Sequence, residues 1–176
     1  MNDEHSRARF EGLMVPLMKD AHNLARWLMR NEEEAQGAVQ EAYYLRAFRF
    51  SEGFHLGTNA RRWLLPIVRN ACYTALSARQ RQKAAHEPDL EALEDAAPGP
   101  RASLETKATV EAVRAAIAAL PVDYREVVVL REREGLSYRE IAEVAGIPLG
   151  TVMSRLWRVR DQLHRLLQER KAHDRL

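Results

Sequence analysis

Residues 136–160 read LSYREIAEVAGIPLGTVMSRLWRVR, and this stretch decides the fold. Ser137 followed by Glu140 forms a capping box: the serine oxygen takes an orphan backbone N–H and the glutamate reaches back to the cap. Ile141, Val144 and Ala145 give an apolar stripe, and Gly146 supplies the left-handed residue that ends a helix. Ile147 and Pro148 fill a turn, because proline restricts the residue before it and suits the entry into a new helix. Val152, Leu156, Val159, Leu163 and Leu166 then recur at spacings of four and three, so a second helix buries one face. Thr151, Ser154, Arg155 and Arg158 lie elsewhere on that cylinder, near its N-terminal end. The pattern predicts a helix-turn-helix, in which this end of the second helix meets base edges in the major groove. A pair of bundle helices with solvated arginines is the plainer alternative; the cap, short turn and basic, hydroxyl-bearing second helix together favour DNA.

Working outward, the 176 residues suffice for one domain or two small ones, with 46% apolar residues to build a core. A single cysteine, Cys72, excludes an internal disulfide framework and suits a reducing compartment. No opening segment has the form of a secretion signal and no stretch is long enough to span a bilayer, so a soluble, cytoplasmic protein without membrane insertion is expected. The net charge of +2 conceals strong segregation. Arg61, Arg62, Arg69, Arg79, Arg81 and Lys83 run without an intervening carboxylate, whereas Glu87, Asp89, Glu91, Glu94, Asp95 and Glu105 face Arg101 alone. Basic residues predominate again over 155–171. Two basic blocks about an acidic hinge predict two contacts with a polyanion and a connector that the polyanion repels.

The hinge, HEPDLEALEDAAPGPRAS, carries Pro88, Pro98, Gly99 and Pro100 and little that could form a core. The expected architecture is therefore all-α: two small helical domains, 1–86 and 104–176, joined by a flexible acidic linker over 87–103. Helices are expected over 9–29, 32–48 and 59–83 before the hinge, with Pro66 kinking the third. After it they are expected over 104–120 and 123–134, Asp123 capping and Gly135 ending the latter, ahead of the helix-turn-helix. Between the second and third helices, RFSEGFHLGTN places Phe50, Phe54 and His55 in a glycine-containing loop beside the basic helix. Such aromatics either stack on unpaired bases or seal the helical core. The six histidines show no ligand spacing, and no glycine-rich phosphate loop follows a strand, so neither a metal, a cofactor nor an enzyme is expected.

The run LPVDYREVVVLREREGLSYREIAEVAGIPLGTVMSRLWRVRDQL resembles region four of the bacterial extracytoplasmic-function (ECF) sigma factors. EEEAQGAVQEAYYLRAFRF and ARRWLLPIVRNACYTAL resemble region two of the same family. The resemblance spans nearly the whole chain. It implies a dissociable subunit of bacterial RNA polymerase that directs the core enzyme to promoters. Gln40, Glu41, Leu45 and Arg46 occupy the positions that dock on the clamp helices of the largest polymerase subunit, and the flap is the second contact on the core. Phe54, His55 and Asn59, with Arg61, Arg62, Asn70 and Tyr73, would hold the unpaired −10 strand. Trp63 is assigned to the core instead. Thr151, Ser154, Arg155, Trp157 and Arg158 would read the −35 duplex, with Arg125 reaching its backbone; an arginine serves there either by gripping guanine or by clamping phosphate. An anti-sigma factor is a further partner that the family implies.

Two positions depart from the family pattern. Gln36 and Gly37 stand where acidic residues usually precede the VQE motif, so either Glu32, Glu33 and Glu34 compensate or the polymerase contact is weak or conditional. Met153 stands where a basic residue is common, and a thioether cannot donate to phosphate or guanine. Two rival functions remain from the sequence: a helix-turn-helix regulator with a helical sensor or interaction domain, and a helical protein-interaction adaptor. A second basic nucleic-acid face has no place in the sensor reading.

Overall fold

The computed structural model describes residues 3–53, 59–85 and 104–173. Eight α-helices occupy the described residues: α1 (Asp3–Met14), α2 (Met18–Met29), α3 (Glu32–Gly53), α4 (Ala60–Ala85), α5 (Leu104–Ala119), α6 (Val122–Glu132), α7 (Tyr138–Ala145) and α8 (Leu149–His173). The acidic hinge lies outside the described residues.

The single helix expected over 9–29 is two. Pro16 lacks a backbone N–H, and the chain passes it in one 3-10 turn, Val15–Leu17, before resuming as α2. Pro66, by contrast, sits inside the continuous α4. Arg30 closes α2 in the left-handed conformation at φ 58°, its N–H donating to the Arg26 carbonyl, and the Asn31 side chain then accepts the Glu34 N–H at 3.0 Å to start α3. The start of α6 also differs from expectation. Pro121 is its cap, with the Tyr124 and Arg125 N–H groups both on the Pro121 carbonyl at 3.0 Å, and Asp123 falls inside the first turn. There its carboxylate is free to face other elements.

Leu24, Leu28, Leu64, Leu65 and Val68 pack α2, α3 and α4 together, and Ile141, Val152, Leu156 and Val159 seat α7 and α8 against α6. These are one cluster, because α6 touches both groups. Its six consecutive residues Arg125, Glu126, Val127, Val128, Val129 and Leu130 are all buried. Six consecutive buried residues go all the way round a helix, so this stretch of α6 must have neighbours on every side; it packs against α2, α7 and α8. The Arg125 guanidinium joins them, donating to the Ala118 carbonyl at 2.6 Å and to Leu28 at 3.2 Å. Both carbonyls lie in the last turn of a helix, where a cation meets unpaired acceptors and the negative end of the dipole.

Candidate nucleic-acid and polymerase interfaces

The helix-turn-helix forms as its sequence dictates. Ser137 Oγ accepts the Glu140 N–H at 3.2 Å, the Glu140 carboxylate accepts the Ser137 N–H at 2.8 Å, and this pairing holds the Glu140 carboxyl below its usual range. Gly146 closes α7 at φ 66°, and Ile147 donates back to the Ala142 carbonyl. The outer face of α8 is less polar than expected. Leu149, Met153 and Trp157, spaced by one helical turn each, are exposed, Met153 to 52% and Trp157 to 67%. Ser154 is exposed beside them, bonded to the Thr151 carbonyl, while Thr151 is half-buried. The arginines lean back onto α6: Arg155 lies 3.5 Å from an Asp123 carboxylate oxygen and Arg158 donates to the Tyr124 hydroxyl at 3.0 Å. Arg125, expected on the DNA backbone, is only 5% exposed, because its charge is spent on the two helix-end carbonyls; burial, with Arg30 nearby, lowers its pKa to about 10.

The face of α4 expected to meet the −10 strand is occupied. Arg61 bridges Asp20 at 2.7 Å and Glu134 at 2.5 Å, Arg62 pairs with Glu143, and Arg69 pairs with Glu126. The Tyr73 hydroxyl lies 2.8 Å from Glu126 and 3.0 Å from Asp123, under the Arg69 guanidinium, which is 4.2 Å from the Tyr73 ring centre. Every one of these partners except Asp20 comes from residues 123–143. Burial raises the Glu126 and Glu134 carboxyl pKa values, more than the facing arginines lower them. Asn70 remains exposed beside Arg69. Asn59 serves α4 itself, its side-chain oxygen accepting the Arg61 and Arg62 N–H groups at 3.1 and 3.2 Å. Phe54 and His55 lie outside the described residues.

On α3, Gln40, Glu41 and Leu45 form an exposed edge, and Tyr44, exposed to 73%, joins it. Arg46 follows on the same helix. Glu32 is already held by His22 and Arg26, and Glu34 by Arg79, so two of the three acids offered as compensation for Gln36 and Gly37 are engaged. Trp63 packs edge-on against Phe10 in the core, as expected.

Residues 13–82 match the Sigma-70 region 2 family and residues 110–163 match Sigma-70 region 4. The chain is 34% identical over 147 residues to the ECF RNA polymerase sigma factor EcfG of Rhodopseudomonas palustris, spanning 84% of this chain and 78% of that protein. The chain belongs to the ECF sigma factors. Another relative is the RNA polymerase sigma-H factor of Pseudomonas aeruginosa, 35% identical over 168 residues, 89% of this chain and 79% of that protein. Among solved structures, the sigma factor RpoE in complex with the anti-sigma factor NepR from Bartonella quintana is similar at TM-score 0.75 and 26% identity, over 91% of this chain and 97% of that one. As an ECF sigma factor the chain binds core RNA polymerase and promoter DNA and directs promoter-specific initiation. The match to region 2 fills the part of the chain that a sensor domain would need, which removes the regulator reading.

Proposed function

We propose that this sigma factor works by binding alone, in the cytoplasm, through three surfaces. The edge Gln40, Glu41, Leu45 and Arg46 of α3 docks on the clamp helices of the largest polymerase subunit, and Tyr44 belongs to that edge. Exposed Tyr44 and Leu45 carry this assignment, since a large aromatic and an aliphatic side chain adjoining on a surface helix mark an interface. Residues 1–86 act as region two: Arg61, Arg62, Asn70 and Tyr73 line the path of the −10 strand, and Phe54 and His55 help to hold it. The family's assignment of Asn59 is better read as preparing that path, through its cap on α4. Residues 104–176 act as region four, joined through the linker 87–103.

In region four, Ser154, Trp157 and Arg158 read the −35 duplex, and Thr151 and Arg155 support them. Arg125 acts by holding α6 in place. Met153 and Trp157 stand on the outer edge of α8, where apolar side chains meet thymine methyl groups. An anti-sigma factor is a further partner, as the Bartonella quintana neighbour has in its complex.

The docking assignment is tested by gel filtration of the protein with core polymerase. Tyr44→Ala and Leu45→Ala each lose co-elution with core while their melting temperatures stay unchanged. Co-elution as strong as that of the unaltered protein removes α3 from the interface.

A further inference from the structure

Glu33, Gly37, Glu41 and Leu45 recur at every fourth residue of α3 and all are exposed, so they form one solvent-facing row, about 18 Å long at 1.5 Å per residue. Its far end, Glu41 and Leu45, belongs to the edge assigned to the polymerase. Gly37 interrupts the row, and nothing inside the chain accounts for it. Its backbone is ordinary right-handed helix; the left-handed glycines among the described residues are Gly135 and Gly146. A Cβ added at Gly37 would meet no atom within 4 Å. Glycine inside a helix is destabilising relative to alanine, because it gives up more backbone freedom on folding. Alanine would therefore fit here and strengthen α3, and neither packing nor turn geometry asks for glycine.

We propose that Gly37 is a notch in the polymerase-docking face, which admits a basic side chain of a clamp helix against the bare backbone of α3. This rests on the assignment of Glu41, Tyr44 and Leu45 to that face. The notch lies one helical turn from Glu41, so it continues the docking edge. Glu33 and Glu41 flank it, one turn to either side, both exposed and neither ion-paired to another described residue. Glu32 and Glu34, by contrast, are held by side chains of α2 and α4, which leaves Glu33 to face a partner. With no side chain at position 37, a second helix can approach α3 closely. The occupant needs an apolar stem to lie on the backbone and a cationic head to reach between the two carboxylates, which describes arginine or lysine.

The notch gives the departure from the family pattern at position 37 a purpose. An acid there would hold a cation by charge; glycine exchanges that contact for close packing and moves the charge partners one turn to either side. Binding to core then depends on shape at Gly37 and on charge at Glu33 and Glu41. Filling the gap forces the basic side chain outward, since an overpacked contact is destabilising just as an empty one is.

The test titrates the fluorescently labelled full-length protein with bacterial core polymerase and follows anisotropy, with melting temperatures taken by circular dichroism. Gly37→Ala and Gly37→Gln should each melt higher than the unaltered chain, since both residues favour the helix. Gly37→Gln fills the notch without adding charge and should bind core at least about tenfold more weakly, the scale of an overpacked contact; Gly37→Ala should lie between. Glu33→Lys should weaken binding at low salt, with a deficit that shrinks as salt rises. Tyr44→Ala reports on the docking face separately. Gly37→Gln bound as tightly as the unaltered chain overturns the notch. If Tyr44→Ala is weakened in the same titration, the docking face stands without the notch; if Tyr44→Ala is unchanged too, the face itself is wrong. A lower melting temperature for Gly37→Ala also overturns the notch, because glycine then serves the fold. Undiminished affinity of Glu33→Lys at low salt removes the basic occupant and the proposal with it.

Discussion

Arg69 and Glu126 form an ion pair across 57 residues of sequence, with the carboxylate fully buried and the Tyr73 hydroxyl on its second oxygen. It is the most enclosed charge contact between the two halves of the described chain. Removing one partner of a buried pair costs about 3 kcal/mol, because the other charge is left without compensation. Glu126→Ala is therefore expected to lower unfolding stability by about that amount in a urea titration. A loss below about 0.5 kcal/mol, the range of ordinary surface changes, would show that Arg69 finds water as readily as Glu126.

The same carboxyl sets a pH dependence. Glu126 faces Arg69 and Tyr73 from α4 and Asp123 from its own helix, and its pKa is raised by desolvation above the ordinary 4.5. A raised carboxyl binds protons better in the folded state. Its contribution is fully present below 4.5 and is lost as pH rises through the folded-state value. Glu126→Gln does not titrate, so its stability relative to the unaltered protein should improve as pH is raised through that window. Urea titrations over a pH series check this; a relative stability that falls with pH reverses the sign and refutes the burial argument.

The helix-turn-helix depends on its cap. Ser137→Ala removes the oxygen that holds the Glu140 N–H and should cost about 1 kcal/mol, read as a lower melting temperature. An unchanged melting temperature would mean that packing of Ile141 and Val144 alone fixes α7.

Much of this was legible from local pattern. The capping box, Gly146 and the apolar spacing of Val152, Leu156 and Val159 in α8 are short-range signals, and each formed as read. The helix break at Pro16 was written in the sequence but could not be told from the tolerated Pro66, since both depend on what surrounds the missing N–H. What lay beyond reach was the pairing between the halves. Asp123, Glu126, Glu134 and Glu143 look like solvated charges until the fold sets α4 opposite them. One signal was available: Val127, Val128, Val129 and Leu130 form an unbroken apolar run within a helix, which leaves no face for water and so requires neighbours on opposite sides.

Position 153 tests the outer face of α8. Met153→Arg places a cation on the exposed ridge between Leu149 and Trp157. Binding to duplex DNA should strengthen at low salt, and the log–log salt slope should steepen by about 0.9, the value for one added phosphate contact. An unchanged slope would mean that this ridge points away from the DNA backbone.

The central claim is that this ECF sigma factor selects promoters for core RNA polymerase through its two halves. Run-off transcription of a genomic DNA library with bacterial core polymerase, with transcript starts sequenced, addresses it most directly. New starts, absent with core alone, are expected to share two upstream sequence elements, and the −10 element loses its enrichment when Arg61 and Arg62 are changed together to alanine. Starts identical to those of core alone would contradict it.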